Sequence, residues 1–387
     1  MEAIETEAKI ETWDDLDIKN DLLRGIYSYG FEKPSEIQCK ACGPLFEGRD
    51  VLAQAQSGTG KTGAFVIGAL NNIDVTIPKT QILIMVPTRE LALQILNVQK
   101  ELGSMMKGLV SKLLVGGHSS DGDIYDLRRN TPHIIIGTPG RIYDMFKRNT
   151  IVTKDINMII LDEADEMLSY GFKEQLFVIF QYLKKDIQIA LFSATLPDSI
   201  VELTKNLLKN PVEIVMKTEQ LVLDGIKQFF VSIYDDKQKF EVLTDLFERL
   251  VLSQTIIYCN SVGRVNELYE AMKKENYPVC SIHSDMNKEQ RKESFDEFKK
   301  GKYRVLISSN VTARGIDIQQ VNIVINFDLP KDPNTYLHRI GRSGRWGRKG
   351  IGINFITPRD VSNLKFIENH YSIRMEELPS NFETIVN

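Results

Sequence analysis

Two series of short apolar runs constrain the fold of this chain more than any other feature of its sequence. The first series comprises Ile82–Val86, Leu113–Val115, Ile134–Ile136, Met158–Leu161 and Ile189–Phe192. Each run is bounded by Gly, Pro, Asp or Thr, and an amphipathic segment of about a dozen residues follows it. This alternation is typical of βαβ units whose parallel strands are buried on both faces.

The same pattern restarts in the second half of the chain. The second series comprises Thr255–Cys259, Val279–Ile282, Arg304–Ser308, Ile323–Asn326 and Gly352–Ile356. Between the two series lies Pro211–Gly225, which holds one more strand-like run and then the polar Lys217–Gln220. A length of 387 residues suits two domains rather than one core. We therefore predict an α/β fold with a first domain over residues 1–218, a linker over 219–226 and a second domain over 227–387.

Composition excludes several classes of protein. A hydrophobic content of 42% with 26% charged residues is typical of a globular chain. The acidic first dozen residues hold no apolar segment, and no run approaches the ~18 apolar residues of a membrane span. We expect a cytoplasmic location, with the nucleus as the alternative, and no membrane association. Because the net charge is −4, binding to nucleic acid would depend on local groups.

The cysteines raise the question of a metal or redox site. Cys39 and Cys42 form a CxxC pair, but Cys259 and Cys280 show no matching spacing. A structural zinc site needs four ligands. The simpler interpretation is that Cys39 and Cys42 are small apolar residues on one helix.

A glycine-rich segment indicates a nucleotide site. Ala55–Thr62 has the pattern A-x4-G-K-T, follows the strand-like Asp50–Gln54 and opens a helix. Such a loop turns backbone N–H groups toward phosphate oxygens, and the helix N-terminus adds a favourable dipole. Lys61 would reach the β- and γ-phosphates of the nucleotide, and Thr62 the Mg²⁺ ion. The predicted contacts with the nucleotide in this segment are Ser57, Gly58, Thr59, Gly60, Lys61 and Thr62.

Acidic residues follow an apolar run in Met158–Leu168. Asp162 and Glu163 come at the carboxyl end of the predicted strand, which is the edge where open α/β sheets bind ligands. Asp162 would hold the hydrated magnesium, and Glu163 would orient or deprotonate the attacking water. The alternative is that the two carboxylates only cap the helix that starts near Ala164.

Together these segments resemble the DEAD-box RNA helicases of superfamily 2. Asp162–Asp165 and Gly58–Thr62 carry the resemblance, and further motifs follow in the order of that family. They are Gly30–Gln38 with Trp13 upstream, Pro87–Ala92, Gly116-Gly117, Thr138–Arg141, Ser193–Thr195, Ala313–Asp317 and His338–Arg345. The match covers essentially the whole chain, and the ending MEELPSNFETIVN is most similar to the initiation factor 4A branch. It implies two RecA-like domains and RNA-stimulated ATP hydrolysis coupled to domain closure, with local, non-processive unwinding.

The resemblance also implies roles for residues at the nucleotide. Phe31 would stack on adenine and Gln38 would hydrogen-bond it, whereas the alternative is a turn entering a helix with Phe31 in the core. Asp317, Arg342 and Arg345 would contact the nucleotide, and the two arginines would act at the γ-phosphate. Coupling between ATP and RNA would depend on Asp165, Ser193, Thr195 and His338, although the two hydroxyls could instead cap a helix. Arg339 could support the ATP site or touch RNA.

RNA contacts follow from the same resemblance. The residues implied are Pro87, Thr88, Arg89, Gly117, Thr138, Arg141, Arg291 and Ser309. Small residues, hydroxyls and arginines suit a grip on phosphates and 2′-hydroxyls that does not depend on base sequence. The chain departs from the family pattern at Asn310, where Asp is usual, at Gly263, where close relatives often carry an RNA-facing arginine, and at Lys288, where glutamine is usual.

Three functions are compatible with these motifs. The leading one is an ATP-dependent RNA helicase that acts on single-stranded RNA or short duplexes, with a role in translation like that of initiation factor 4A. The second is an ATP-locked RNA clamp that scaffolds a complex such as the exon junction complex. The third is a DNA-directed translocase, which the full set of motifs disfavours. Without basic tails, the chain is expected to work as a monomer with protein adaptors or a scaffold.

Overall fold

A computed structural model describes residues 10–55, 59–117, 119–169, 171–216, 226–249, 254–310, 321–343, 350–379 and 381–382. The chain forms two compact units, and the division falls between Met216 and Lys217. Most of the predicted linker, residues 219–225, lies outside the described residues. Among the helices that are described, none combines the length and the apolar character that crossing a membrane requires.

The N-terminal unit is built on one sheet, which has seven strands among the described residues. The strands are β1 Val51–Gln54, β2 Ile82–Met85, β3 Ser111–Leu114, β4 Ile134–Gly137, β5 Met158–Asp162, β6 Gln188–Ser193 and β7 Val212–Val215. The helices are α1 Asn20–Ser28, α2 Glu36–Phe46, α3 Lys61–Asn72, α4 Arg89–Leu102, α5 Ser120–Arg129, α6 Pro139–Lys147, α7 Ala164–Ser169, α8 Lys173–Tyr182 and α9 Asp198–Leu207. Short 3₁₀ turns occur at Trp13–Asp15 and Thr153–Asp155.

The C-terminal unit has a second sheet, again with seven described strands. They are β8 Ile226–Ser232, β9 Thr255–Tyr258, β10 Val279–Ile282, β11 Val305–Ser308, β12 Ile323–Asn326, β13 Gly350–Ile356 and β14 Glu376–Glu377. The helices are α10 Lys239–Arg249, α11 Val262–Lys274, α12 Lys288–Lys299, α13 Pro333–Ile340 and α14 Val361–Tyr371. Ile226, the last residue of the predicted linker, is the first residue of β8.

The two sheets have the same strand order. The first reads β3-β4-β2-β5-β6-β1-β7 and the second β10-β11-β9-β12-β13-β8-β14, so each unit follows the order 3-4-2-5-6-1-7 in its own numbering. Every strand pair within the described ranges is parallel. The predicted fold class is therefore confirmed. Because all strands of a sheet run in one direction, their carboxyl ends meet at a single edge, where the predicted site residues follow.

Both faces of each sheet are covered by apolar side chains. In β2, Ile82 and Ile84 belong to the core on one face, while Leu83 and Met85 belong to the core on the other. The second sheet shows the same alternation in β9, where Ile257 and Ile256 pack on opposite faces. Since successive side chains of a strand point to opposite faces, only a continuous apolar run fills both cores. This explains why the runs in the sequence are unbroken rather than alternating.

All four cysteines are free thiols. Cys39 and Cys42 lie on α2, where Cys42 is fully buried and Cys39 half-buried. Cys259 and Cys280 are buried in the second unit, and burial raises the pKa of each to about 12. Burial also raises the pKa of Cys42. Thiols in such surroundings stay protonated and behave as small apolar side chains.

Candidate nucleotide and nucleic-acid sites

The glycine-rich segment joins β1 to α3, as its pattern predicts. Gly60 is the N-cap of α3 and has a φ of 101°, a left-handed conformation that glycine adopts without strain. Lys61 opens the helix and is 5% exposed. Its Nζ lies 3.6 Å from Glu163 Oε1 and has no hydrogen-bond partner among the described residues. A buried ammonium group with unused N–H donors can bind an anionic ligand. Ser57 and Gly58, two other predicted contacts, lie outside the described residues.

The acidic motif follows β5 directly. Asp162 is the last residue of the strand, and Glu163 has a φ of 53° before α7 begins at Ala164. A left-handed backbone in a residue other than glycine costs about 1–3 kcal/mol and is common at functional sites. The N–H of Glu163 donates to Asp162 Oδ1 at 3.0 Å, and its carbonyl accepts from the N–H groups of Glu166 and Met167. The turn therefore starts α7 while it fixes the backbone of both acidic residues.

Asp162 occupies an unfavourable electrostatic position. Its side chain is buried, with the residue 2% exposed, and burial raises its pKa to about 7. Burial is the largest cause of this raised pKa; the ammonium of Lys61 opposes it, and the carboxylates of Glu163 and Asp165 act with it. Several buried acids thus face one lysine. A cluster of this kind attracts further positive charge.

Three of the predicted coupling residues meet in the N-terminal unit. Thr195 Oγ1 donates to Asp165 Oδ2 at 2.6 Å, and the N–H of Asp165 donates to Ser193 Oγ at 3.4 Å. All three residues are buried. They are close because β5 and β6 are hydrogen-bonded neighbours that end at the same edge. His338, the fourth, is a buried residue of α13 in the other unit.

Gln38 has a contact that the sequence did not reveal. Its Oε1 accepts from the N–H of Ser35 at 2.7 Å, which completes a capping box at the start of α2. Its Nε2 donates to the carbonyl of Gly60 at 3.2 Å and so ties α2 to the start of α3. A side-chain amide has two N–H groups and two lone pairs, so one of each remains for a ligand. Adenine recognition by Gln38 stays a prediction.

Phe31 lies beside this link. A Cβ added at Gly63 would come within 2.5 Å of Gln38 Nε2 and 2.9 Å of Phe31 Cε2, so glycine is required for this close packing. The indole N–H of Trp13 donates to the carbonyl of Phe31 at 3.0 Å, and the ring of Tyr29 meets that of Phe31 edge-on at 4.8 Å. Phe31 is half-buried. Its ring is thus held in place while part of its surface stays open.

Residues predicted to contact RNA in the first unit lie at the carboxyl edge of the sheet. Thr88 caps α4 by accepting the N–H of Leu91 at 3.3 Å, next to the buried Pro87. The guanidinium of Arg89 packs on Gly116, where an added Cβ would lie 3.2 Å from it. Gly117 follows with a φ of 80° and is exposed. The structure therefore brings Arg89 close to the glycine pair.

Arg141 has an acidic partner that sequence analysis missed. Thr138 precedes α6, and Arg141 in its first turn forms an ion pair with Asp123 of α5. Lys112 lies 3.4 Å from the same carboxylate. Both side chains of the Arg141–Asp123 pair are only 9% exposed. Part of the positive charge of Arg141 is thereby balanced within the protein.

Arg339, a residue of α13 in the second unit, is fully buried. Its Nε and one terminal nitrogen donate to Asn310 Oδ1 at 2.9 and 2.6 Å. The remaining bonds reach Asn260 Oδ1 at 2.8 Å, Asn326 Oδ1 at 3.1 Å and the carbonyl of Asp328 at 2.9 Å. The guanidinium also lies 5.1 Å from the ring centre of Tyr258. With all donors engaged, Arg339 holds strand ends together. We call the four acceptor groups, the side chains of Asn260, Asn310 and Asn326 and the carbonyl of Asp328, the arginine cage.

The other predicted residues of the second unit are placed as follows. Ser309 follows β11 and is largely buried, and its N–H donates to the carbonyl of Ile282 at 3.4 Å. Arg291 is half-buried on α12, and Arg342 is half-buried just after α13. Arg264 pairs with Asp236, and a Cβ added at the neighbouring Gly263 would meet open space. Asp317, Arg345 and the side chain of Lys288 lie outside the part of the chain that the structure describes.

The fold and these sites define a helicase-like protein of two parallel-sheet units, the first of which carries a phosphate loop. Residues 35–203 match the family model described as DEAD/DEAH box helicase, and residues 238–347 match the helicase conserved C-terminal domain. The chain belongs to the DEAD/DEAH box helicase family.

Similar proteins match over nearly the whole chain. ATP-dependent RNA helicase FAL1 of Mycosarcoma maydis is 48% identical over 97% of this chain and 94% of that protein. ATP-dependent RNA helicase eIF4A of Kluyveromyces lactis is likewise 48% identical, with the same two coverages. Among solved structures, S. cerevisiae Dbp5 bound to RNA and ADP BeF3 has a TM-score of 0.89 at 35% identity and covers 97% of this chain and 98% of its own.

Proposed function

We infer that this chain is an ATP-dependent RNA helicase. The observation that carries the inference is the buried cluster at the carboxyl edge of the first sheet, in which Lys61 and Glu163 face each other and Asp165 bonds Thr195. The cluster links a phosphate site to the strand after which Thr195 lies. Relatives named ATP-dependent RNA helicases are 48% identical over almost the full length, which supports the same reaction here.

ATP and Mg²⁺ suit the residues that are present. The ammonium of Lys61 would bind phosphate oxygens, and the carboxylate of Asp162 and the hydroxyl of Thr62 would hold magnesium, which prefers oxygen ligands. Burial raises the pKa of Asp162 to about 7, and a divalent cation would offset that cost of ionisation. When bound, magnesium would neutralise charge on the phosphates. Glu163 would orient the attacking water and accept its proton.

The second half of the chemistry would come from the C-terminal unit. Arg342 and Arg345 would supply positive charge to the γ-phosphate when the two units close, as arginine fingers do. RNA bound to both units would favour closure and therefore hydrolysis, and by linkage ATP would strengthen RNA binding. A closed protein that bends a single strand does not fit a straight A-form duplex. Local, non-processive unwinding follows from that mismatch.

The substrate and setting are extensions of the same proposal. Arg89, Thr138, Arg141 and Ser309 would grip the RNA backbone without reading its sequence. The name eIF4A among the relatives supports a role in translation. We also propose a monomer that works with protein adaptors, and the solved complexes of Dbp5 with Gle1 or Nup159, in which a relative assembles with proteins, support the adaptors. We place this activity in the cytoplasm, with the nucleus as the alternative.

The test is a measurement of ATP hydrolysis with and without single-stranded RNA. RNA is expected to stimulate turnover, and Glu163→Gln should reduce it by roughly 10²–10⁴-fold, the usual range for a lost acid–base group. Lys61→Ala should also reduce it strongly, because positive charge on the phosphates is lost. Glu174→Gln, which removes an exposed acid from α8, is the matched control and should hydrolyse ATP normally. The proposal would be contradicted if RNA did not change the rate of ATP hydrolysis, or if single-stranded DNA stimulated it equally.

A further inference from the structure

No carboxylate among the described residues accepts a hydrogen bond from Arg339. The donors of Arg339 reach three asparagine oxygens and one backbone carbonyl, and all of these acceptors are neutral. Burying a guanidinium is unfavourable without compensation, and burial lowers the pKa of Arg339 to about 10. At neutral pH the group is still protonated. Among the residues that the structure describes, this positive charge is therefore buried with hydrogen bonds but without a carboxylate in contact.

The nearest acids are committed to other cations. The carboxylate of Asp328 accepts from Lys239 Nζ at 2.9 Å and from the N–H of Asn260 at 3.1 Å, and it lies 3.6 Å from Arg264. Asp236 pairs with Lys239 at 2.9 Å but is 56% exposed, so water weakens its effect. Arg264 also lies 3.9 Å from Glu267, whose side chain is 74% exposed. Within the described residues the two buried groups of this set, Lys239 and Arg339, are both cations, whereas Asp236 and Glu267 are open to water. The buried part of the group therefore retains positive charge.

This positive charge lies where nucleic acid is expected. Asn310, an exposed residue, bonds the guanidinium directly and follows Ser309, a predicted RNA contact. Asn260 and the cap residue Ser261 precede α11, whose N-terminus adds a partial positive charge. Buried charges are screened less by salt than exposed ones, so the field of Arg339 extends past Asn310. All of these groups belong to the same edge of the second sheet.

We propose, building on the function proposed above, that Asn310 sets the RNA affinity of the second unit. By holding Arg339 through a neutral amide, it leaves the buried charge free to attract RNA phosphates at this edge, at the expense of stability. An aspartate at position 310 would neutralise that charge. It would therefore stabilise the unit and weaken RNA binding together. A purely structural role for Asn310 predicts the first effect without the second.

The test compares Asn310→Asp with Asn322→Asp in the full-length chain. Asn322 is an exposed residue just before β12, about 13 Å from the cage end of that strand, so it supplies the same charge change elsewhere. Binding of a single-stranded RNA in the presence of a non-hydrolysable ATP analogue would be measured at several salt concentrations. Asn310→Asp should melt about 2–4 °C higher and bind RNA about 3- to 10-fold more weakly at low salt. The difference should shrink as salt rises, and Asn322→Asp should show little of either effect.

A neutral variant separates charge from geometry. Asn310→Ser shortens the side chain without adding charge, so it should lower the melting temperature while RNA affinity stays within about twofold. The proposal is overturned if Asn310→Asp binds RNA as tightly as the unaltered chain, if Asn322→Asp weakens binding equally, or if only the KM for ATP changes. An unaltered chain that does not bind RNA would overturn the proposed function as well. If the unaltered chain binds RNA and Asn310→Asp binds it equally well, only this inference is overturned.

Discussion

The two units have the same strand order but bury opposite charges at the carboxyl edges of their sheets. The first edge encloses a group of acids with a single lysine: Asp162, Glu163, Asp165, Glu166 and Lys61. The second encloses Arg339 and Lys239, with Asp328 as the nearest acid. Strand order therefore does not determine the charge of a sheet edge. The residues that follow each strand do.

Opposite charge suits the two halves of the proposed reaction. Buried acids can hold a cation and take a proton from water, whereas a basic edge can neutralise phosphate groups. In both units the buried cation contacts residues at or just after strand ends: Lys61 lies near Glu163, and Arg339 bonds Asn260 and Asn326. The contrast between the two edges can be tested by removing charge from one of them at a time.

The largest effect is expected from Arg342→Ala. If this arginine supplies positive charge to the γ-phosphate, its loss should reduce RNA-stimulated kcat by roughly 10³–10⁵-fold, while the KM for ATP changes far less. Steady-state kinetics of ATP hydrolysis would measure both constants. Arg359→Ala, at an exposed position after β13, is the control and should leave both unchanged. A defect confined to RNA binding would show that Arg342 has another role.

A large loss of stability is expected from Arg339→Met. The substitution leaves the buried oxygen of Asn326 without its donor and also removes the bonds to Asn260, Asn310 and the carbonyl of Asp328, which together should cost about 3–5 kcal/mol in the free energy of unfolding. Urea denaturation followed by circular dichroism would measure it, with Arg359→Met as the exposed counterpart. A loss below about 1 kcal/mol would mean that the cage does not stabilise the second unit.

A smaller effect is expected at the acidic edge from Thr195→Val. This change keeps the shape of the side chain but removes the hydrogen bond to Asp165, so unfolding should become easier by about 1–2 kcal/mol. A double-mutant cycle with Asp165→Ala, which removes the acceptor, should show a coupling energy above about 0.5 kcal/mol. Thr244→Val, on the exposed side of α10, controls for loss of a hydroxyl. Additive effects in the cycle would mean that the bond between Thr195 and Asp165 contributes nothing.

Sequence analysis predicted the central strands of both sheets because each is a short, unbroken apolar run. It did not predict β8, in which only Ile226 and Phe229 are buried and whose first residue fell in the predicted linker. The two-residue β14 was missed because so short a strand has no periodicity. β14 is the edge strand of the second sheet and β8 is its neighbour; β8 is only partly buried, and both residues of β14 are exposed.

The local motifs of the sites were visible in the sequence, but their partners were not. Gln38 bonds Gly60 across 22 residues, and Arg339 bonds Asn260 across 79. No periodicity or spacing connects such positions, because the contacts arise only when strand ends assemble at one edge of a sheet. For the same reason, the sequence left Arg339 undecided between ATP and RNA, and only its engaged donors identify it as a support.

The burial of the cysteines makes distance measurements on this protein practical. Thiol reagents attack the thiolate, and burial keeps Cys42, Cys259 and Cys280 protonated as well as out of reach. Only Cys39 is half-buried, so Cys39→Ser leaves a background that resists maleimide dyes. A single cysteine would then be introduced on an exposed helix in each of the two units, and each cysteine would be labelled with one fluorophore. Energy transfer between the dyes would follow the two units directly as ATP and RNA are added.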